Sequence, residues 1–235
     1  MLHHRKRLFL TTLAILLYGI NIGISMSVFN NFLNDVYHLG ADARGLVEFP
    51  RETPGFLTAV AAGLLFFLSE KRLTVFAVLL SAIGQFFMAA SGNSFYLMML
   101  FMMIGSMGDH LYFAMKSVLT LACCQENNRG RILGITGSFE VIGIVLGGFL
   151  SRWMAANHAS YLAMYTVSAG SVLLAGMVLE ALPPDGHLPA QRTRFVLRKT
   201  YTLYYILEFL FGARKQIFLT FGPWVLIQVF GCGIQ

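Results

Sequence analysis

Apolar residues in this chain come in long unbroken runs, neither alternating as in half-buried strands nor confined to one face as in surface helices. A bilayer core of about 30 Å takes about 20 helical residues to cross. Runs of about that length recur at residues 8–33, 73–90, 95–123, 132–151 and 159–182. A shorter one, 56–68, reaches spanning length only by recruiting residues 51–55. A seventh covers 201–230 and is interrupted by Glu208, Arg214 and Lys215. The pattern predicts an all-α, polytopic membrane protein with seven spans.

Composition supports lipid as the solvent. Hydrophobic residues make up 57% of the 235 positions and charged residues 12%, where a soluble domain carries about 25%. Mean hydropathy is +0.67. The three cysteines, Cys123, Cys124 and Cys232, have neither disulfide-framework nor metal-site spacing and read as small packing residues. No basic face with interleaved aromatics suggests nucleic acid as a partner, and nothing calls for a cofactor or metal.

The formal net charge of +6 is explained by topology. With the N-terminus in the cytoplasm, inner segments hold Arg5, Lys6, Arg7, Lys71, Arg72, Arg129, Arg131, Arg192, Arg194, Arg198 and Lys199. The outer loops hold only Arg44, Arg51 and Arg152. Such a bias sets orientation, and a multi-pass protein of a bacterial plasma (inner) membrane is the expectation. The apolar stretch after the basic N-terminus is too long for a cleaved signal and is followed by further spans. Pro183, Pro184, Gly186 and Pro189 break helix before span seven. The expected organisation is therefore a six-helix unit, 1–182, a cytoplasmic linker, 183–200, and one more spanning helix, 201–235.

Three local sequences then carry a family resemblance. Arg129-Gly130-Arg131-Ile132-Leu133-Gly134 resembles the R-G-R-x-x-G that opens the fifth helix of major facilitator superfamily transporters. Gly63-Leu64-Leu65-Phe66-Phe67-Leu68-Ser69-Glu70-Lys71-Arg72 resembles the family's loop between helices two and three, with Phe67 at its Asp position and without its second Gly. Gly143-Ile144-Val145-Leu146-Gly147-Gly148 is similar to the antiporter motif G-P-x-x-G-G, with Ile144 in place of Pro. The stretches 48–56 and 211–218 look like a bacterial branch of that family. A full member has twelve spans, so the chain resembles the N-terminal half plus the seventh helix, a truncated or split transporter. The resemblance implies alternating-access movement of a small solute, coupled to protons. It also implies a missing C-terminal half, or a self-associated copy, as partner.

Ionisable groups inside spans are the candidate chemistry, because a charge at mid-bilayer costs about 2.5–3.5 kcal/mol on insertion scales. At about 1.5 Å per residue, Asp109, Asn21, Arg214 and Lys215 each lie about 20 Å from the cytoplasmic ends of their spans. In the family resembled, helices one, four and seven line the cavity. The expectation is that Asp109 binds substrate or carries the proton while facing Arg214 or Lys215; the alternative is a static ion pair. Lys116 and Glu140 share a second level, about 10–12 Å deep, suited to a cross-helix ion pair that is structural or part of a proton relay. Asp109, Tyr112 and Lys116 share one helix face. Asp109 and Lys116 lie two turns apart, as do Glu208 and Lys215, too far for easy contact. Neighbouring His110 points about 100° away and is expected to pack. Gly143 and Gly147 predict close helix contact.

An enzyme is disfavoured, since the sequence holds no G-x-S-G site, no paired metal-ligand histidines and no phosphate-cradling glycine loop. A seven-helix receptor or scaffold would need the opposite orientation. An inactive transporter fragment is the remaining alternative.

Overall fold

The computed structural model describes residues 2–65, 67–125, 127–183 and 198–234; the side chains of 2–4, 59, 208–209 and 211–217 lie outside this description. Seven α-helices appear among these residues: α1 (Leu2–Tyr37), α2 (Ala41–Leu64), α3 (Glu70–Ala90), α4 (Phe95–Leu121), α5 (Arg129–Ala156), α6 (Tyr161–Glu180) and α7 (Thr202–Phe230). A 3₁₀ turn, Lys199–Tyr201, leads into α7.

The helix ends have local causes. Ser69 and Ser160 each accept a hydrogen bond from the backbone N–H three residues on, capping α3 and α6. Left-handed residues stop the chain after α1 (His38, φ 50°) and α7 (Gly231, φ 64°). The short connections alternate the helix directions. Tyr37 on α1 donates to Gly92 O in the α3–α4 turn, and Tyr161 at the start of α6 donates to Asp35. These contacts define a far end. At the opposite, N-terminal end, Lys71 pairs with Glu180 at 2.9 Å and the Cys123 thiol contacts Thr11.

The principal packing pairs are α1 with α5 and α6, α2 with α4, and α3 with α4 and α6. Exchanging helices one, two and three for four, five and six maps this set of pairs onto itself. Because α1 and α4 run in opposite directions, the exchange is an inverted three-plus-three repeat.

Close seams hold the pairs together. A Cβ on Gly19 or Gly23 of α1 would strike α5 backbone at Glu140 and Ile144, and one on Gly143 or Gly147 would strike α1 at Leu16 and Ile20. The expected close contact at Gly143 and Gly147 thus has a matching glycine pair on α1. A Cβ on Gly84 of α3 would likewise strike α4 at Gly105, and one on Gly108 of α4 would strike α3 at Ser81. Outward faces are apolar: Phe76, Ile83 and Phe87 on α3, and Val141, Val145 and Phe149 on α5, are all exposed. Polar groups lie inside. That inversion is what a lipid solvent selects.

The seven expected spans need one correction. Among the described residues five helices, α1 (over Arg5–Tyr37), α3, α4, α5 and α6, are long and apolar enough to cross a membrane. The second helix starts at Ala41, ten residues before the expected 51, and its first half carries Asp42, Arg44, Glu48, Arg51 and Glu52. Arg44 and Arg51, expected as loop bases, are therefore helical; their charges are neutralised by neighbours on the same helix. In α7 the apolar stretch among the described residues is Phe218–Phe230. Pro50 and Pro54 lie within α2 and Pro223 within α7, each removing a backbone donor.

Candidate functional site

Asp109, midway along α4, turns into the bundle and not toward the acyl chains. Its Oδ1 accepts hydrogen bonds from Tyr18 of α1 and, at 2.6 Å, from Ser81 of α3. Among the described residues it takes part in no ion pair. The polar path continues through Gln85, whose Nε2 lies 3.4 Å from Ser81 Oγ. Ser168 of α6 sits 2.7 Å from both Gln85 Oε1 and Asn21 Oδ1, with one proton to give. Four helices thus contribute to one buried network, with Asn21 at the α1–α6 interface and 1% exposed. Gly84, Gly105 and Gly108 let α3 and α4 approach closely enough to place Ser81 against Asp109.

The Tyr18 ring stacks on that of Tyr112 with centroids 3.5 Å apart and planes 11° apart. Tyr112, 1% exposed, has a hydroxyl with no hydrogen-bond partner among the described residues. One turn further along the same face, Lys116 Nζ lies 2.6 Å from Glu140 Oε1 of α5. This is a cross-helix ion pair. It lies in the wall of a cleft of about 180 Å³, together with Ile15, Ser117, Thr120, Leu133, Thr136 and Gly137. Lys116 and Glu140 stay 22% and 21% exposed. The α1–α5 glycine seam sets Glu140 in place, because its own carbonyl packs on Gly19.

A third polar cluster at the far end was not anticipated from the sequence. Arg44, 2% exposed, donates from Nε to Asn30 of α1 at 2.7 Å and pairs with Glu48 one turn on. Arg51 bridges Glu48 at 2.7 Å and Glu52 at 2.8 Å. His110 approaches Glu52 at 3.6 Å, its ring packed over Gly55, where no Cβ would fit. Ser106 of α4 donates to the Arg51 carbonyl. The guanidinium of Arg44 lies 5.3 Å from the Phe29 ring centroid and 6.0 Å from that of Trp224, within cation–π range. Trp224, 2% exposed, comes from α7. Gln228 of α7 donates to Asn34, and Asn31 donates to the Cys232 carbonyl at 3.4 Å. The only signal in the sequence was the i, i+4 spacing of Arg44 and Glu48; nothing there announces Trp224 as their cover.

Of the expected site residues, Asn21, Asp109 and Tyr112 meet in or beside one network, and Lys116 and Glu140 form one pair. His110 packs, and its partner is Glu52. The side chains of Glu208, Arg214 and Lys215 lie outside the described residues, so the expected approach of Asp109 to Arg214 or Lys215 does too.

A bundle with apolar outer faces and buried polar networks is a polytopic membrane protein, and inverted repeats of this kind are common among transporters. Residues 11–235 match the family profile of the Major Facilitator Superfamily. The chain belongs to that superfamily, whose members are transmembrane transporters and generally not enzymes. No match was found among curated proteins.

Proposed function

We propose that the chain is a proton-coupled secondary transporter of a small solute, with its N-terminus in the cytoplasm of a bacterium and Asp109 as the proton-carrying group. One observation carries the proposal: a mid-span carboxyl on α4 whose described hydrogen-bond donors are two hydroxyls, from α1 and α3. A carboxylate held by a cation is locked by its partner, since removing the charge strands the cation. A carboxylate held by hydroxyls can take up a proton and keep its neighbours, because a hydroxyl both donates and accepts. Tyr18 and Ser81 can therefore serve either state of Asp109.

In this arrangement residues 1–182 form one transporter half, 183–200 a linker, and 201–235 the first helix of a second half. The solute path runs where this bundle meets that second half, supplied by further helices or by a self-associated copy. Lys116 and Glu140 face it from one side, and Glu208, Arg214 and Lys215 belong to the first helix of the second half. Asn21 of α1 supports the Asp109 network through Ser168 of α6.

Uptake of a panel of labelled solutes into proteoliposomes, under an imposed pH gradient, tests the proposal. Asp109→Asn keeps the shape and both hydroxyl donors' partner but cannot carry a proton. It should lower gradient-driven uptake at least about tenfold, an effect of about 1.4 kcal/mol or more, and abolish its dependence on pH. Uptake that survives with unchanged pH dependence overturns the role.

A further inference from the structure

The Lys116–Glu140 pair bridges two helices, α4 and α5, that otherwise touch little. A pair that merely clamped helices together would close the gap between them. Here the gap stays open. Gly137, one turn before Glu140, has nothing within 4 Å of where its Cβ would be, and the cleft of about 180 Å³ equals the liquid volume of about six waters. Its other polar groups are mostly acceptors. Thr136 already donates to Ile132 O at 3.0 Å and Ser117 to Phe113 O at 3.4 Å, leaving only their lone pairs. Lys116 is a donor with protons to spare beyond its one bond to Glu140.

We infer that this cleft is the binding site for a small zwitterion, whose carboxylate is received by Lys116 and whose ammonium is received by Glu140. The inference rests on the transport reading above and names its substrate class. Charge balance is the reason. A lone anion or lone cation would separate the pair and leave one member uncompensated in a low-dielectric wall, a state that is heavily penalised. A zwitterion exchanges one neutral arrangement for another, each charge passing from one partner to the next. Ile15 and Leu133 offer apolar wall for a short side chain.

The test is calorimetric titration of the full chain in lipid nanodiscs with L-alanine, and with propionate and ethylamine as counterparts carrying one charge each. Alanine should bind saturably, and both single-charge probes at least about tenfold more weakly, about 1.4 kcal/mol. Lys116→Gln and Glu140→Gln should each weaken alanine at least about tenfold, while the double exchange Lys116→Glu/Glu140→Lys, which keeps the pair and the fold, restores it. Alanine binding is read without a pH gradient and gradient-driven uptake is read separately, so a failure of proton coupling and a failure of this site are distinguishable. The inference is overturned if alanine, glycine and β-alanine all fail to bind at about 10 mM, some tenfold above the usual KM range. Equal binding of a single-charge probe, or unchanged affinity in the Gln variants, also overturns it.

Discussion

At the far end of the bundle Arg44 is 2% exposed, enclosed by Glu48, Asn30, Phe29 and the α7 indole of Trp224. Nearer the N-terminal end Lys116 is 22% exposed and has one carboxylate and one ring face in contact, that of Phe113 at 5.5 Å. Both are cations paired with a glutamate, Glu48 on the same helix as Arg44 and Glu140 on α5 across from Lys116, yet they are held in opposite ways. The difference is packing. α7 lies over the outer turns of α1 and α2 and excludes solvent there, whereas the α4–α5 gap is left open by Gly137. Among the described residues the bundle is thus closed at its far end and cleft between α4 and α5.

Four substitutions sharpen this contrast. Arg44→Ala should have the largest effect, because it leaves Asn30 and Glu48 short of a buried partner. A loss of about 3–5 kcal/mol is expected, read by thermal unfolding in detergent; a loss under about 1 kcal/mol would mean that the far end is wet. Trp224→Phe removes the better cation–π face but no hydrogen bond, since the indole N–H has no partner. It should cost about 1–2 kcal/mol. In a Trp153→Phe background, where Trp224 is the sole indole, its emission should be blue-shifted as for a buried ring, and red-shifted in Arg44→Ala if the far end opens.

Lys116→Gln should cost about 1–2 kcal/mol, less than Arg44→Ala, because it strands Glu140 but the cleft leaves that carboxylate partly solvated. A loss comparable to that of Arg44→Ala would erase the distinction between the two ends. Tyr112→Phe is expected to have the smallest effect, within about 0.5 kcal/mol of the parent or slightly stabilising, since it removes a buried hydroxyl that bonds to nothing. A clear destabilisation would show that the hydroxyl has a partner in the folded protein.

Much of this arrangement could be anticipated along the chain. The Lys116–Glu140 pair followed from equal depth on adjacent antiparallel spans, because helical rise converts residue number into height. Height says nothing of azimuth. Asn21 and Asp109 share a level, yet Asn21 turns to Ser168 on α6 while Asp109 turns to Tyr18 and Ser81. The α1–α5 seam was half visible, at Gly143 and Gly147; Gly19 and Gly23 carry the same four-residue spacing, but only the packed pair shows that the two motifs meet. Arg44 and Arg51 were taken for loop bases because five charges in twelve residues depress any apolar count, and their mutual neutralisation is a helical property.

The sequence alone determined the class. Long apolar runs, sparse charge and short turns leave only helices in lipid, because backbone polar groups have no other way to be satisfied there. Which charges are buried, which stay open and which helix covers them was decided by the tertiary structure. Those outcomes depend on how each helix is rotated and on which faces its glycines allow to touch, and a one-dimensional pattern contains heights without contacts.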